Sequence, residues 1–170
     1  MRSALTRGLG LGALVVIADQ ATKLWALSAL FDPPRRVPIL PVLDFVPVWN
    51  RGVSFGLLAN DSPWGPWLLS GFALVVCLFM GFWLARSTSW PLIYGLGAVI
   101  GGAVGNVIDR MLYGAVFDFI DVHYGGWHWP AFNIADSAIT LGVALLLLDA
   151  FGIGIGTRKG ETEGGHGNDG

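Results

Sequence analysis

Charge is scarce in this chain: 13% of its 170 residues are charged, against 54% hydrophobic. A disordered chain needs the opposite balance, and an ordinary soluble enzyme carries about twice the charge. Basic excess is missing too. Ten Lys and Arg face twelve Asp and Glu, for a formal net charge of −2, so no global field recruits polyanions and a nucleic-acid module is excluded. The single cysteine, Cys77, excludes a disulfide framework and a Cys-rich metal centre. In its apolar run it reads as a small buried hydrophobe. No Ser-His-Asp order, phosphate loop or nucleotide fingerprint occurs.

What is present is long apolar runs, rich in the 8 Trp and 10 Phe of the chain. A membrane span needs roughly 20 mostly apolar residues. Four candidates qualify, at about residues 8–28, 64–85, 90–110 and 131–153. They predict a membrane all-α protein: a four-transmembrane-helix bundle with both termini on one side, one domain over residues 1–156. The first run could be read as a cleaved signal peptide, with Arg2 and Arg7 ahead of it and Ala26-Leu27-Ser28 behind. Asp19 and Lys23 interrupt it, whereas a signal core is continuous, so it is read as a retained helix. The second helix is read as offering no polar group.

Lys and Arg near the helix ends give the orientation. The raw count is five on each side. Setting aside Lys23, Arg51 and Arg110, which lie inside polar motifs, leaves Arg2, Arg7, Arg86, Arg158 and Lys159 against Arg35 and Arg36. The termini are thus expected in the cytoplasm, with the Gly-rich, charged tail at 157–170 disordered there.

Prolines 33, 34, 38, 41 and 47 forbid a helix through residues 32–57. Val37, Ile39, Leu43 and Phe45 alternate as short strands do, which predicts a small extracytoplasmic sheet or cradle. A second non-helical stretch, 112–129, carries Asp118, Asp121, His123 and aromatics, of which Trp127 and Trp129 suit a membrane interface. Gly97, Gly101 and Gly105 leave one face of the third helix bare for close packing.

Asp19, Asp109, Asp118, Asp136 and Asp149 fall at or near membrane depth. A carboxylate at the bilayer centre costs at least ~2.5 kcal/mol, so each is a functional candidate by default. Asp19 and Lys23, spaced i,i+4, are expected to neutralise each other as a structural pair. Asp109 and Arg110, with Asn106 three residues before Asp109 on the same face, are expected to form an internal ion pair bracing the end of the third helix. Asp149 reads as a solvated end residue beside Arg158 and Lys159. Asp118 and Asp136 have no basic neighbour within four residues, and Asn133 and Thr140 extend a polar stripe from Asp136. Burial raises the pKa of such carboxylates, and two close together can share a proton and activate water as acid and base. Spacing alone leaves Asp118, Asp109 and Asp121 all open as partners of Asp136. His123 and His128 lack a third ligand for zinc, so no metal and no cofactor is expected.

Five motifs then stand in order: residues 19–23 (DQATK), 50–56 (NRGVSFG), 101–110 (GGAVGNVIDR), 116–119 (VFDF) and 132–138 (FNIADSA). Together they resemble the lipoprotein signal peptidase (bacterial signal peptidase II) family over about residues 8–155. The resemblance implies an intramembrane aspartic endopeptidase of the bacterial inner membrane. Such an enzyme removes signal peptides from diacylglyceryl-modified prolipoproteins by cleaving before the lipidated cysteine. It implies Asp118 and Asp136 as the catalytic pair, near the extracytoplasmic face. Asn50, Gly52, Asn106, Asp109, Arg110, Asn133 and Ala135 match supporting positions, and Asp19 and Lys23 match the first-helix motif. Membrane lipid, the prolipoprotein and the inhibitor globomycin are the implied partners, with a monomer sufficient. The chain departs from the family at Val53 and Ser54, where two alanines are common. Asp121 is not required by the pattern; facing the pocket, it would raise the pair's apparent pKa values. A proton-coupled transporter and a non-catalytic scaffold are the alternatives in other classes. The first needs polar groups along the bundle, and the second leaves Asn106, Asn133, Asp118 and Asp136 unexplained.

Overall fold

A computed structural model describes residues 2–31, 33–52 and 64–152. The order of elements is α1 (Arg2–Leu30), β1 (Val37–Leu40), β2 (Leu43–Asn50), α2 (Gly65–Arg86), α3 (Trp90–Tyr113), β3 (Val116–Tyr124), β4 (Trp127–His128) and α4 (Ile134–Ala150). Val53, Ser54, Arg158, Lys159 and the tail lie outside the described residues.

Among the described residues, three helices are long and apolar enough to cross a membrane: Ser3–Leu30, Gly65–Arg86 and Trp90–Tyr113. At 17 residues, α4 spans about 25 Å. The predicted helices are all present, with shifted ends. No proline interrupts Arg2–Arg7, so α1 starts six residues before position 8. Local chemistry sets two other limits. Gly114, at φ 71° in the left-handed region, caps α3 and donates to the Arg110 carbonyl at 3.1 Å. Asn133 caps α4, which begins at Ile134, three residues after the expected start.

The third helix is the hub of the bundle. Its bare face meets α1 backbone to backbone: a Cβ on Gly97 would lie 2.3 Å from the Gly8 carbonyl oxygen, and one on Gly101 would lie 2.5 Å from that of Gly12. A second face, about 100° round the helix, meets α4, where a Cβ on Gly102 would stand 2.4 Å from the Ala135 carbonyl oxygen. Small residues on two faces let one helix touch two neighbours closely. Thirteen buried residues lie on α3, against three on α2. The second helix is not wholly apolar inward: Ser70 is buried on it. Cys77 is only half-buried.

The sheet is antiparallel in the order β1-β2-β3-β4. The expectation confined it to 32–57, but the stretch after α3 supplies its longest strand. At its start β3 is buried on both faces, so the period-two alternation that would have marked it is absent. β1, which contains Pro38, is an edge strand, where a missing N–H is tolerated. The β2–β3 register shifts between Phe45 and Val48, beside Pro47. Gly125 and Gly126, at φ 59° and 84°, make the two-residue turn joining Tyr124 to Trp127. Ala26 and Leu30 of α1 pack with Phe117 and Phe119 of β3, with Trp25 edge-on to Phe45 at 5.6 Å. This core seats the sheet on one end of α1. Trp127 and Trp129 remain exposed.

Candidate functional site

Four elements converge where the sheet meets the bundle. Asp118 projects from β3 and is 1% exposed. Asp136 sits in the first turn of α4. The two carboxyls are joined through a chain of amides. Asn133 donates from Nδ2 to Asp118 Oδ1 at 2.7 Å and to Asn106 Oδ1 at 3.2 Å, and Asn106 donates from Nδ2 to Asp136 Oδ1 at 2.7 Å. Asn50, at the end of β2, donates to the other Asp118 oxygen at 3.1 Å.

Each of these amides has its oxygen taken by a group that can only donate, so each NH2 turns toward a carboxylate. Asn50 Oδ1 accepts from the Gly52 N–H at 3.1 Å. Asn133 Oδ1 accepts from the Asp136 N–H at 2.9 Å, and the Asn133 N–H returns a bond to Asp136 Oδ2 at 3.3 Å. That reciprocal capping box ties the geometry of Asp136 to the start of α4. Asn106 Oδ1 accepts from Lys23 Nζ at 3.2 Å.

Beneath the two carboxyls lies a buried ionic layer. Lys23 Nζ is 2.8 Å from Asp19 Oδ2 and 2.8 Å from Asp109 Oδ2. The Asp19–Lys23 pair was expected; the rest of the layer was not. Asp109 binds Lys23 on α1, not Arg110. Adjacent helical residues point about 100° apart, so Asp109 and Arg110 face different neighbours. Asp109 Oδ2 also accepts the Phe117 N–H at 3.0 Å, which fixes the start of β3 one residue before Asp118. Asp19 Oδ1 accepts the Ala135 N–H at 2.9 Å, one residue before Asp136. Ala135 is fully buried. Gln20, not singled out by the sequence reading, donates to Asp19 Oδ2 at 3.1 Å and Asp109 Oδ1 at 3.0 Å. The Arg110 guanidinium donates to the Asn106 carbonyl at 3.4 Å, and its charge acts on Asp136, Asp109 and Asp118.

Burial, and then the charge of Asp136, push the Asp118 carboxyl up to about 7, against the opposing pull of Asn50 and Asn133. Asp136 is half-buried and borders an open groove of about 590 Å³ lined by Trp129, Phe132, Ser137, Thr140 and Leu141. One carboxyl that favours its proton stands next to another that reaches open space. That pairing can activate a water and protonate a carbonyl.

Asp121 does not join this pair. It belongs to a separate cluster across the sheet, in which Arg36 binds both Asp44 and Asp121, the latter at 3.1 Å. His128 Nδ1 lies 2.9 Å from Asp121, and His123 Nε2 lies 3.1 Å from Asp44. The two imidazole rings stack at 5.0 Å. Among the described residues no group of three or more His, Cys, Asp or Glu is placed to hold a metal ion. Asp149 is half-buried near the end of α4.

Residues 11–152 match the family model described as signal peptidase (SPase) II. A lipoprotein signal peptidase of Methylobacterium sp. (strain 4-46) is 48% identical over 147 residues, covering 85% of this chain and 88% of that protein. One from Caulobacter vibrioides is 48% identical over 143 residues, covering 83% and 84%. Among solved structures, a bacterial membrane enzyme determined by the in meso method at 2.3 Å resolution superposes with a TM-score of 0.76. It is 25% identical, over 92% of this chain and 94% of that one. The family model spans residues 11–152 of the 170, and the chain belongs to the signal peptidase II family.

Proposed function

We propose that Asp118 and Asp136 are the catalytic pair with which this signal peptidase II cleaves diacylglyceryl-modified prolipoproteins before the lipidated cysteine. The observation that carries the reading is the amide chain from Asp118 through Asn133 and Asn106 to Asp136. It couples two carboxyls from different elements and aims a donor at each.

The chemistry follows from the difference between the two groups. Asp136, open to the groove, acts as the base and takes a proton from water as the oxygen attacks the scissile carbonyl. Asp118, holding its proton near neutrality, gives it to the carbonyl oxygen, so a neutral diol forms without a buried oxyanion. On collapse, Asp136 returns its proton to the amide nitrogen, the C–N bond breaks, and the diol returns a proton to Asp118. The pair ends with the one proton it began with, and no metal or cofactor enters the cycle. Asn50, Asn106 and Asn133 hold the carboxyls in place. Gly52 fixes Asn50, and Asp19, Lys23, Asp109, Arg110 and Ala135 support the site from below.

In this reading all four helices span the inner membrane, α4 being helped across by its apolar flanks. The termini are cytoplasmic and the pair lies near the extracytoplasmic face, where a signal peptide leaves the bilayer. Residues 1–156 form one domain, and a monomer suffices because every proposed group comes from one chain. Lipid holds the acyl chains of the substrate and so positions its peptide, a form of orientation by binding. Globomycin is the expected inhibitor, competing for the same pocket.

The test uses purified protein in lipid with a prolipoprotein, with and without the diacylglyceryl group, and product masses read by mass spectrometry. The expected result is a mature fragment beginning at the lipidated cysteine, and at least about tenfold slower cleavage without the lipid. Equal rates on both substrates, or a cut elsewhere, would overturn the proposed specificity.

A further inference from the structure

Lys23 has a second set of contacts that a structural pair with Asp19 does not need. Lys23 is 2% exposed, and its ammonium lies between Asp19 and Asp109 and also reaches Asn106 Oδ1 at 3.2 Å. On its far side, Asn106 Nδ2 lies 2.7 Å from Asp136 Oδ1. A carboxamide has two orientations related by a half-turn. Here one puts oxygen toward the ammonium and NH2 toward the carboxylate. The other puts NH2 against an ammonium that has no acceptor, and oxygen against a carboxylate that has no donor. The remaining group at Asn106 Oδ1 is Asn133 Nδ2, which is neutral and makes its shortest bond to Asp118.

We propose that Lys23 is a positioning residue for the reaction: its ammonium fixes the carboxamide of Asn106 in the orientation that delivers the NH2 group to Asp136. The inference rests on Asp136 serving as the base of a prolipoprotein peptidase. The relay runs from α1 through α3 to α4, and each step is a donor-to-acceptor contact. Asp19 and Asp109 in turn hold the ammonium at 2.8 Å each, so the motif of the first helix acts on the reacting carboxylate without touching substrate. Without Lys23, the amide is free to turn its oxygen toward Asp136. A lost donor and a new lone-pair contact then favour the protonated, inactive form of the base. Among the described residues, the charged and titratable groups of the network around Asp136 are Asp118 from β3, Asp109 and Arg110 from α3, and Asp19 and Lys23 from α1.

A double-mutant cycle separates this role from a merely structural one. Wild type, K23M, N106A and K23M/N106A are compared in lipid on diacylglyceryl-modified prolipoprotein, with kcat, KM and the pH profile of kcat measured for each. A lost hydrogen bond to a charged group predicts that K23M and N106A each lower kcat by about 10- to 100-fold. KM should stay within about twofold, and the acidic limb of the profile should rise by about one pH unit. In the N106A background, K23M should change kcat by less than about threefold, because there is no amide left to orient. Equal losses in both backgrounds, or an acidic limb that stays in place in K23M, would overturn the relay. K23M leaves two buried carboxylates unpaired; where it does not fold, K23M/D109N against D109N keeps the net charge of the wild-type cluster and serves the same cycle. A folded wild type that leaves prolipoprotein uncut would instead overturn the reading of Asp136 as the base.

Discussion

Asn133 bonds Asp118 and Asp136 at once: its NH2 reaches Asp118 Oδ1 at 2.7 Å while its oxygen accepts the Asp136 N–H at 2.9 Å. One side chain is therefore both the cap of α4 and the strut between two carboxyls. The roles come apart by substitution. Serine keeps the cap but cannot reach Asp118. Both variants lose the buried bond to Asp118 and should melt below wild type in detergent, with Asn133→Ala about 1 kcal/mol below Asn133→Ser because it also loses the cap. Both should lower kcat by at least about tenfold, since the amide bond to a charged group is gone in each. Equal activity losses with unequal melting temperatures are the expected pattern.

The raised Asp118 carboxyl sets the alkaline side of the pH profile. As the acid of the pair it must be protonated, so kcat/KM should fall above about pH 7. The limb belongs to the coupled pair. The same shift acts on stability with a defined sign. The native state holds a proton that the unfolded state, with its ordinary carboxyl at 3.8, has released. Stability should therefore decline as pH rises from about 4 to about 7. Asp118→Asn should remove that part of the slope. A rate profile flat from pH 6 to 9 would contradict the assignment of Asp118 as the acid.

Close backbone contact between α1 and α3 should show in the glycines. A Cβ on Gly101 would stand 2.5 Å from the Gly12 carbonyl oxygen, and that atom cannot swing aside as a side chain can. Gly101→Ala should cost about 1–3 kcal/mol by overpacking. It should also separate Lys23 from Asp109 and lower activity. Gly10 and Gly81, with nothing within 4 Å of an added Cβ, should tolerate alanine with no loss, as melting curves of the three variants would show.

Arg36 holds two carboxylates of the sheet, Asp44 on β2 and Asp121 on β3. Burial pulls Asp44 upward, but the bonds from Arg36 and His123 outweigh it and keep the carboxyl below its ordinary 3.8. A lowered carboxyl contributes stability above its unfolded value and loses it as pH falls through the folded one. Arg36→Met should therefore lower the melting temperature at pH 7, and the gap from wild type should narrow below about pH 4. A gap that is constant from pH 7 to 3.5 would remove Arg36 from this role.

Much of the site could be read from the chain because polar residues are conspicuous in apolar runs. Asp19, Lys23, Asn106 and Asp136 stand out in any span that lipid must solvate, and the Asp19–Lys23 pair follows from helical spacing alone. What spacing could not give was contact between elements. Asp109 turned to Lys23, 86 positions away in sequence, and Arg36 to Asp121, 85 away. β3 hid because its first four residues are all buried, which erases the alternation of a one-sided strand. Gln20 had a signal that could have been used: it adjoins Asp19 within a polar motif of an otherwise apolar helix.

Asp118 and Asp136 are proposed to cleave the prolipoprotein together. The most direct test follows the gel shift of a diacylglyceryl-modified prolipoprotein with wild type, Asp118→Asn and Asp136→Asn, each purified folded in lipid. Cleavage by wild type with no product from either variant, at least about a thousandfold down, is the predicted result. Either variant cutting at close to the wild-type rate would contradict the account.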